Sequence, residues 1–185
     1  DAARRMTELP HVAFDRDALA QQLRALQRGG LSTYEHDGQH FHAPRSIEEL
    51  VALRAEKPQA CLLAGSTDVG LWVTKQLRDL GDIIYLGNVA ALKSIAVDGG
   101  KLHIGAGASL NDAYGALCQY YPEELSELWQ RFASLPIRNA GTLGGNVANG
   151  SPISADKIVS GSPATKVKLQ IHFEHFLLRI QMEIG

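Results

Sequence analysis

Hydrophobic positions near the start of the chain recur with the period of a helix. Over residues 14–29, Leu19, Leu23 and Leu26 fall three to four residues apart among polar residues, with acids early in the segment and arginines late. This pattern is typical of an amphipathic helix, and Gly29–Gly30 predicts its end.

The next polar and apolar runs predict a hairpin and then a second helix. Asp37–Gly38 is a dipeptide typical of a tight turn between two strands. Downstream, Ser46 and Glu49 match the S-x-x-E capping box, in which a hydroxyl and a carboxylate satisfy backbone N–H groups at a helix start. The sequence therefore predicts a helix over Ile47–Glu56.

Short apolar runs stopped by glycine predict strands in the middle of the chain. "ACLLAG", which ends at Gly65, and "DIIYLG" both have the form of a buried strand that runs into a turn. "LKSIAVDGGKLHIGAG" predicts two strands joined by a hairpin at its DGG turn. Between these runs, "STDVGLWVTKQLRDLG" has a mixed pattern that ends at Gly81 and is consistent with a helix start at Ser66 or Thr67.

The last third of the chain is helical, then glycine-rich, then alternating. Residues 110–136 have helical composition with an interruption at Pro122, and "TKVKLQIHF" alternates as a strand does. Helices and strands do not alternate regularly enough for a doubly wound sheet, so the predicted fold class is α+β.

Composition and charge exclude several classes of protein. The chain has 185 residues with a hydrophobic content of 45%, and it contains no run of about 20 apolar residues, so we expect a globular protein and no membrane span. A net charge of −2 without a basic cluster argues against nucleic-acid binding. Cys61 and Cys118 are predicted to be buried thiols of a cytoplasmic protein. The first residues, "DAARRMTELPHV", look like an internal piece of a longer chain.

Two glycine-containing loops, residues 64–70 and 139–150, are the main candidates for chemistry. Glycine lets successive backbone N–H groups converge on an anion, and a following helix adds the positive end of its dipole. Ser66, Thr67, Thr142 and Asn146 add neutral hydrogen-bond donors. Such loops suit a pyrophosphate bound without lysine, although ordinary turns are an equal alternative and neither loop has the spacing of a Walker or Rossmann loop.

Two groups of histidines are weaker candidates for a site. His36, His40 and His42 have a spacing that a metal could use, but the adjacent turn signal predicts a solvated hairpin instead. His172 and His175 lie in a strand-like run, and neither group is assigned a catalytic role.

Aromatic residues lead directly into the second loop. Trp129 and Phe132 end a predicted helix, where an aromatic residue is usually core but could also cover a flat ring. Arg138 has two alternatives as well, because it could pair with a phosphate or cap the helix before it.

Taken together, "LLAGSTDVGLWVTKQLRDL" and, some seventy residues later, "RFASLPIRNAGTLGGNVANGSPIS" resemble the flavin-binding domain of the molybdenum hydroxylases, most closely in the small subunit of bacterial xanthine dehydrogenase. The resemblance covers residues 41–154. It implies a linker after an iron–sulfur domain over residues 1–40 and an FAD-binding domain over residues 41–185. After "SPIS" the chain departs from the family pattern, which suggests a truncated domain.

The resemblance implies two α+β subdomains of the vanillyl-alcohol-oxidase (PCMH) type with FAD extended across them. The first loop would wrap the pyrophosphate, the second would clamp it, and Phe132 would lie beside the flavin ring. The implied FAD-binding residues are Leu62, Leu63, Ala64, Gly65, Ser66, Thr67, Asp68, Phe132, Thr142, Leu143, Gly144, Gly145, Asn146, Asn149, Ser151 with Pro152, and Asp156, which Ala155 displaces by one position.

The resemblance also implies a redox role for the complete enzyme. Electrons from a purine at molybdenum would pass through iron–sulfur clusters to FAD and then to NAD+, while the flavin supplies the chemistry and the protein positions it. The implied partners are a molybdenum-binding large subunit and the iron–sulfur domain of the same full-length chain. The alternatives are the medium subunit of a carbon monoxide or aldehyde dehydrogenase, or a docking module that has lost its flavin.

Overall fold

A computed structural model of the chain describes residues 5, 15–26, 29–120, 123–149, 170–174 and 177–183. Its helices are α1 (Arg16–Ala25), α2 (Ile47–Glu56), α3 (Val69–Thr74), α4 (Leu110–Leu117), α5 (Glu123–Arg131), α6 (Leu135–Ala140) and α7 (Leu143–Ala148), with short 3-10 turns at Leu86–Asn88 and Ala90–Lys93. Its strands are β1 (Ser32–His36), β2 (Gln39–Ala43), β3 (Cys61–Leu63), β4 (Ile83–Tyr85), β5 (Ile95–Asp98), β6 (Lys101–Gly105), β7 (Gln170–Glu174) and β8 (Leu177–Glu183). The mixture of helices and strands confirms the α+β class.

The first sheet has the strand order β1-β2-β4-β3. β1 and β2 form the predicted antiparallel hairpin, and its turn residues Asp37 and Gly38 have φ values of 49° and 76°, as a type I′ turn requires. β2 and β3 both pair with β4 in parallel. The strand pairing thus continues across residue 40, where the resemblance places the boundary between the linker and the FAD-binding domain. That division of the chain stays a prediction.

One of the three hairpin histidines, His42, is not solvated as predicted, whereas the His36 side chain is 73% exposed. β2 lies inside the first sheet, and His42 is 6% exposed there, so burial lowers the pKa of this histidine. The Asp82 carboxylate accepts hydrogen bonds from the His40 amide and from Lys57 Nζ, each at 2.8 Å. These bonds hold the pKa of Asp82 well below its usual range, with the Lys57 contribution the largest. The carboxylate therefore ties the hairpin to the other strands.

Two helices begin as the sequence predicts, with one difference in detail. Ser46 Oγ accepts the Glu49 amide at 3.2 Å, which confirms half of the capping box. The Glu49 carboxylate accepts instead from the amides of Arg45, at 2.7 Å, and Leu31, at 3.1 Å. It thereby fixes the chain before the helix rather than closing the reciprocal bond. At α1, Asp15 caps the helix through the amides of the two residues at positions 17 and 18.

The second sheet has the strand order β5-β6-β8-β7, with neighbours antiparallel. Gly99 and Gly100 turn the chain between β5 and β6 with φ values of 54° and 71°, which confirms the hairpin at the DGG turn. The predicted strand over residues 165–173 is confirmed from Gln170 onward, and its earlier part lies outside the described residues. His175 also lies outside them.

Each sheet packs against its own apolar cluster. The first cluster consists of Leu50, Leu53, Ala60, Ile84, Val89 and Leu92. The second consists of Leu102, Ile104, Ala108, Leu110, Ala113, Tyr114, Leu117 and Leu143, with Trp129 and Phe132 packed against it. Cys61 and Cys118 are free but only partly buried, contrary to the prediction.

Close backbone contacts that only glycine allows hold the end of β6 against the residues that precede β5. The Gly105 amide donates to Ser94 O and the Gly107 amide donates to Leu92 O, each at 2.8 Å. A Cβ on Gly105 would overlap the Leu92 carbonyl, so the "GAGA" segment is a close junction as well as a strand end. Among the described helices, none combines the length and the apolar character that a membrane crossing requires.

Candidate functional site

The first glycine loop follows β3 and presents unpaired amides. Ser66 has a left-handed φ of 64°, and the turn is closed by the Gly70 amide, which donates to Ser66 O at 2.9 Å. Within the described residues, the four consecutive amides of Ser66, Thr67, Asp68 and Val69 donate no hydrogen bond. All four residues line one cleft. The loop therefore has the backbone donors that the sequence predicts for an anion site.

The second glycine segment is helical rather than an open loop. Thr142 caps α7, because its Oγ1 accepts the Gly145 amide at 3.1 Å. The Leu143 amide donates to Ala108 O at 3.0 Å, and the Gly144 amide donates to Ala106 O at 2.8 Å. These amides are already paired within the protein. The prediction of converging free amides is thus wrong for this segment, whose glycine at 144 serves close packing.

A cleft of about 160 Å³ lies between the two segments. It brings together many of the residues that the resemblance assigns to FAD: Leu62, Ala64, Gly65, Ser66, Thr67, Asp68, Thr142, Gly145, Asn146 and Asn149. It also includes residues that sequence reasoning missed: Val69, Trp72, Leu110, Gly141 and Ala148. Trp72 could have been found from its helical spacing, because it lies four residues after Asp68 on the same helix face.

Other assigned residues do not line this cleft. Leu63 belongs to β3, and Leu143 and Gly144 are buried residues in the first turn of α7. Phe132 packs against Tyr114 with ring centroids 5.9 Å apart, on the apolar cluster of the second sheet. Ser151, Pro152 and Asp156 lie outside the described residues. The position of Phe132 beside a flavin ring stays a prediction.

A second, larger cleft of about 560 Å³ continues from the first. The two clefts share Ala64, Gly65, Ser66 and Thr142. The second cleft adds Tyr85, Leu86, Gly87, Lys93, Gly107, Ala108, Ser109, Asp112, Asn139 and Ala140. β3 and β4 are parallel neighbours, so the residues after both strands meet at one sheet edge. The end of "DIIYLG" could have been assigned to the site from the sequence, because residues that follow neighbouring parallel strands lie at the same sheet edge.

The two clefts meet at a backbone contact. A Cβ on Gly65 would overlap the carbonyl oxygen of Ala140, so this position admits only glycine if the loop is to approach α6. The Leu110 amide donates to Gly141 O at 2.8 Å and holds the other side of the contact. The first loop is therefore held against the second segment by their backbones.

Arg138 caps the preceding helix. Its Nη1 donates to the carbonyl oxygens of Phe132 and Ala133, each at 2.9 Å, and its guanidinium lies 4.4 Å from the centroid of the Trp129 ring. Arg138 lines neither cleft. Of the two alternatives left open by the sequence, the structure supports the cap.

The chemistry of the clefts fits a dinucleotide. The first cleft offers amides and the hydroxyls of Ser66 and Thr67, and no lysine or arginine lines it. A Cβ on Gly145 would lie 2.9 Å from Thr142 Oγ1 and 3.9 Å from the Cβ of Ala64, so it would fill the gap between the two segments. The paired clefts suit an extended ligand with an anionic linkage at their junction. Within the described part of the chain, no group of three His, Cys, Asp or Glu residues is placed to hold a metal.

The fold and these clefts define a class, and comparison with known proteins identifies it. Residues 34–175 match the family described as the FAD binding domain in molybdopterin dehydrogenase. This match covers most of the chain. The chain belongs to that family, and FAD is its cofactor.

Two curated relatives are enzymes of related types. The xanthine dehydrogenase FAD-binding subunit of Escherichia coli O157:H7 is 32% identical over 136 residues, which are 71% of this chain and 45% of that protein. The carbon monoxide dehydrogenase medium chain of Hydrogenophaga pseudoflava is 29% identical over 135 residues, which are 72% of this chain and 45% of that protein. The chain thus spans less than half of these subunits, and it spans 11% or less of the longer xanthine dehydrogenases that it matches.

A solved structure supports the same fold. Carbon monoxide dehydrogenase from Hydrogenophaga pseudoflava matches with a TM-score of 0.62 and 23% identity, over 78% of this chain and 58% of that one. At this identity the likeness establishes the fold. Together with the family match over residues 34–175, it confirms the predicted fold of an FAD-binding domain of the molybdenum hydroxylase type.

Proposed function

We propose that the chain holds FAD across the two clefts, with the pyrophosphate at the first glycine loop. The observation that carries this proposal is the run of four unpaired amides at Ser66–Val69, beside a gap that a Cβ on Gly145 would fill. Amide donors stabilise a dianion without a counter-charge from lysine. The proposed contacts are the cleft-lining residues, while Phe132, Ser151 and Asp156 keep the places that the resemblance gives them.

The two segments have different tasks in this proposal. The first loop donates to the phosphate oxygens, while the second segment supplies a wall: Asn146 offers an amide side chain, and the Thr142 hydroxyl is free to donate while its oxygen caps α7. The backbone contact at Gly65 fixes the spacing between them. Bound FAD supplies the redox chemistry. None of the protein side chains at the site needs to act as an acid or a base.

For the whole enzyme we propose an oxidoreductase of the xanthine dehydrogenase type in the cytoplasm. Electrons would arrive from iron–sulfur clusters elsewhere in the full-length chain and leave to NAD+. A molybdenum-binding large subunit would be the partner that oxidises the purine. Support comes from the E. coli relative, which is named as the FAD-binding subunit of a xanthine dehydrogenase.

A second candidate is the medium chain of a carbon monoxide dehydrogenase. The Hydrogenophaga relative is 29% identical over a similar length, which is close to the 32% of the xanthine dehydrogenase subunit. The flavin site would be the same in both cases. The substrate would be chosen on another subunit, so the two candidates differ in their partner and not in the residues described above.

The test is to purify the 185-residue chain, supplement it with FAD, and identify any flavin released on denaturation. We expect FAD to be retained, and the Gly145→Val variant to lose it because the side chain fills the gap between the segments. Gly115→Val is the matched control, since a Cβ on Gly115 meets nothing within 4 Å. A folded wild-type chain that binds no flavin would support the docking module and contradict the proposal.

Two further measurements address the finer assignments. The first measurement adds NADH and monitors the absorbance of the bound flavin. A loss of flavin absorbance shows reduction by NADH and supports NAD+ as the acceptor, whereas a flavin that stays oxidised contradicts it. Phe132→Ala separates the flavin role of Phe132 from its packing against Tyr114. A changed flavin emission spectrum supports the first, while a lower free energy of unfolding with an unchanged spectrum contradicts it.

A further inference from the structure

Trp72 is an aromatic residue of the first cleft to which neither the resemblance nor the comparisons give a role. It lies in α3, directly after the loop with the unpaired amides, and it is one of the residues that line the cleft. Leu71, its neighbour in the same helix, is 49% exposed and does not line the cleft. The helix therefore places Trp72, and not Leu71, at the cleft.

The Arg78 guanidinium packs over one face of the Trp72 indole. The Arg78 guanidinium lies 4.6 Å from the centroid of the Trp72 ring, and the Arg78 amide donates to Trp72 O at 3.0 Å. Arg78 itself does not line the cleft, and its guanidinium occupies one of the two faces of the ring. The backbone bond keeps Arg78 beside the ring, and the cation–π contact favours the orientation of the ring seen here.

A fixed, flat aromatic wall beside a set of phosphate-binding amides suits a ligand that carries a planar ring near its phosphates. We infer that the Trp72 indole is a stacking wall for one of the two planar rings of the bound dinucleotide, the adenine or the isoalloxazine. This inference rests on the proposed function and adds a specificity-determining residue to it. Arg78 acts through Trp72 as a positioning residue.

The test compares ligand affinities of the wild-type chain with those of Trp72→Leu, Trp72→Phe and Leu71→Ala. Replacing Trp72 with leucine removes the stacking surface, so we expect FAD to bind about tenfold more weakly. The Trp72→Phe variant keeps an aromatic face and restores most of the affinity. Leu71→Ala alters the same helix outside the cleft and leaves the affinity unchanged.

Two shorter ligands distinguish the rings. If adenine stacks on Trp72, the leucine variant loses affinity for ADP and keeps its affinity for FMN. If the isoalloxazine stacks, the loss appears with FMN, and the emission of FAD bound to the leucine variant rises because indole quenching is gone. Since the chain has two tryptophans, Trp129→Phe leaves Trp72 as the sole source of indole emission, and ADP binding then reports directly on it.

The outcomes separate the inference from the proposed function. FAD binding by the wild type with an unchanged affinity in Trp72→Leu would overturn the inference and leave the flavin site in place. A folded wild-type chain that binds neither FAD nor ADP would overturn the proposed function itself. Unfolding curves of all variants show whether a loss of affinity reflects the site or the fold.

Discussion

The two glycine segments look alike in sequence and differ in structure. "AGSTDVG" is a turn in which the amides at 66–69 are free within the described residues, whereas "NAGTLGGNVANG" contains a helix whose first amides bond to Ala106 and Ala108. In the first segment glycine allows the loop to approach Ala140, and at Gly144 it allows a helix to approach Ala106. Glycine-rich composition therefore marks close approach, and the surroundings decide whether a ligand or the protein itself fills the space.

The largest expected effect is at the contact between the two segments. Gly65→Ala places a methyl group on the Ala140 carbonyl, which is backbone and cannot rotate away, so we expect a loss of stability on the order of 3 kcal/mol together with the loss of FAD binding. Chemical denaturation measures the first and flavin retention the second. In the control Gly70→Ala, the added Cβ is 3.6 Å from Ser66 Oγ, and we expect no loss of stability. Equal stability of the two variants would contradict the close contact between Gly65 and the Ala140 carbonyl.

Neighbouring glycines of the second segment should give opposite results. A Cβ on Gly144 would lie 2.6 Å from the Cβ of Ala106, so Gly144→Ala should cost about 2 kcal/mol of stability while the folded protein keeps its FAD affinity. A Cβ on Gly145 would meet the Thr142 hydroxyl, which can rotate, so Gly145→Ala should cost less than about 1 kcal/mol and should weaken FAD binding. Isothermal titration measures the FAD affinity of both variants, and chemical denaturation measures their stability. If Gly144→Ala weakens FAD binding and Gly145→Ala mainly lowers stability, then Gly144 borders the ligand and Gly145 serves packing, contrary to this account.

Arg138, directly before the second segment, tests whether a cation at this place contacts the ligand. Arg138→Met removes the hydrogen bonds to the carbonyls of Phe132 and Ala133, and we expect a loss of about 1–2 kcal/mol with no change in FAD affinity. Urea unfolding and flavin titration are run on the same preparation. A tenfold weaker affinity at unchanged stability would instead support the phosphate contact that the sequence left open.

The smallest effect concerns the backbone of the first loop. Ser66 has a left-handed φ of 64°, which glycine adopts more easily than serine or alanine. The free energy of unfolding should therefore be about 1 kcal/mol higher for Ser66→Gly than for Ser66→Ala. Both variants lack the hydroxyl, and only the alanine is strained by the left-handed φ. If the two variants are equally stable, the left-handed turn is not maintained in solution, and the free amides lose their fixed arrangement.

Much of the fold and part of the site follow from local sequence. Ser46 predicts the start of its helix because a hydroxyl three residues from an amide can cap it, and Asp37–Gly38 predicts its hairpin because both residues adopt positive φ. Ser66, Thr67 and Asp68 are found as cleft residues from the glycine loop alone. Each of these features depends on residues within a few positions of one another.

Other features depend on contacts between distant residues, and only the tertiary structure decided them. The amides at 143 and 144 are paired because carbonyls more than thirty residues earlier face them, and Phe132 packs on Tyr114 because α4 and α5 meet there. His42 is buried because β4 pairs with its strand. The sequence by itself determined which segments carry glycines and donors. The assembly of the two sheets decided which donors remain free, because an amide is available to a ligand only where no other part of the fold has paired it.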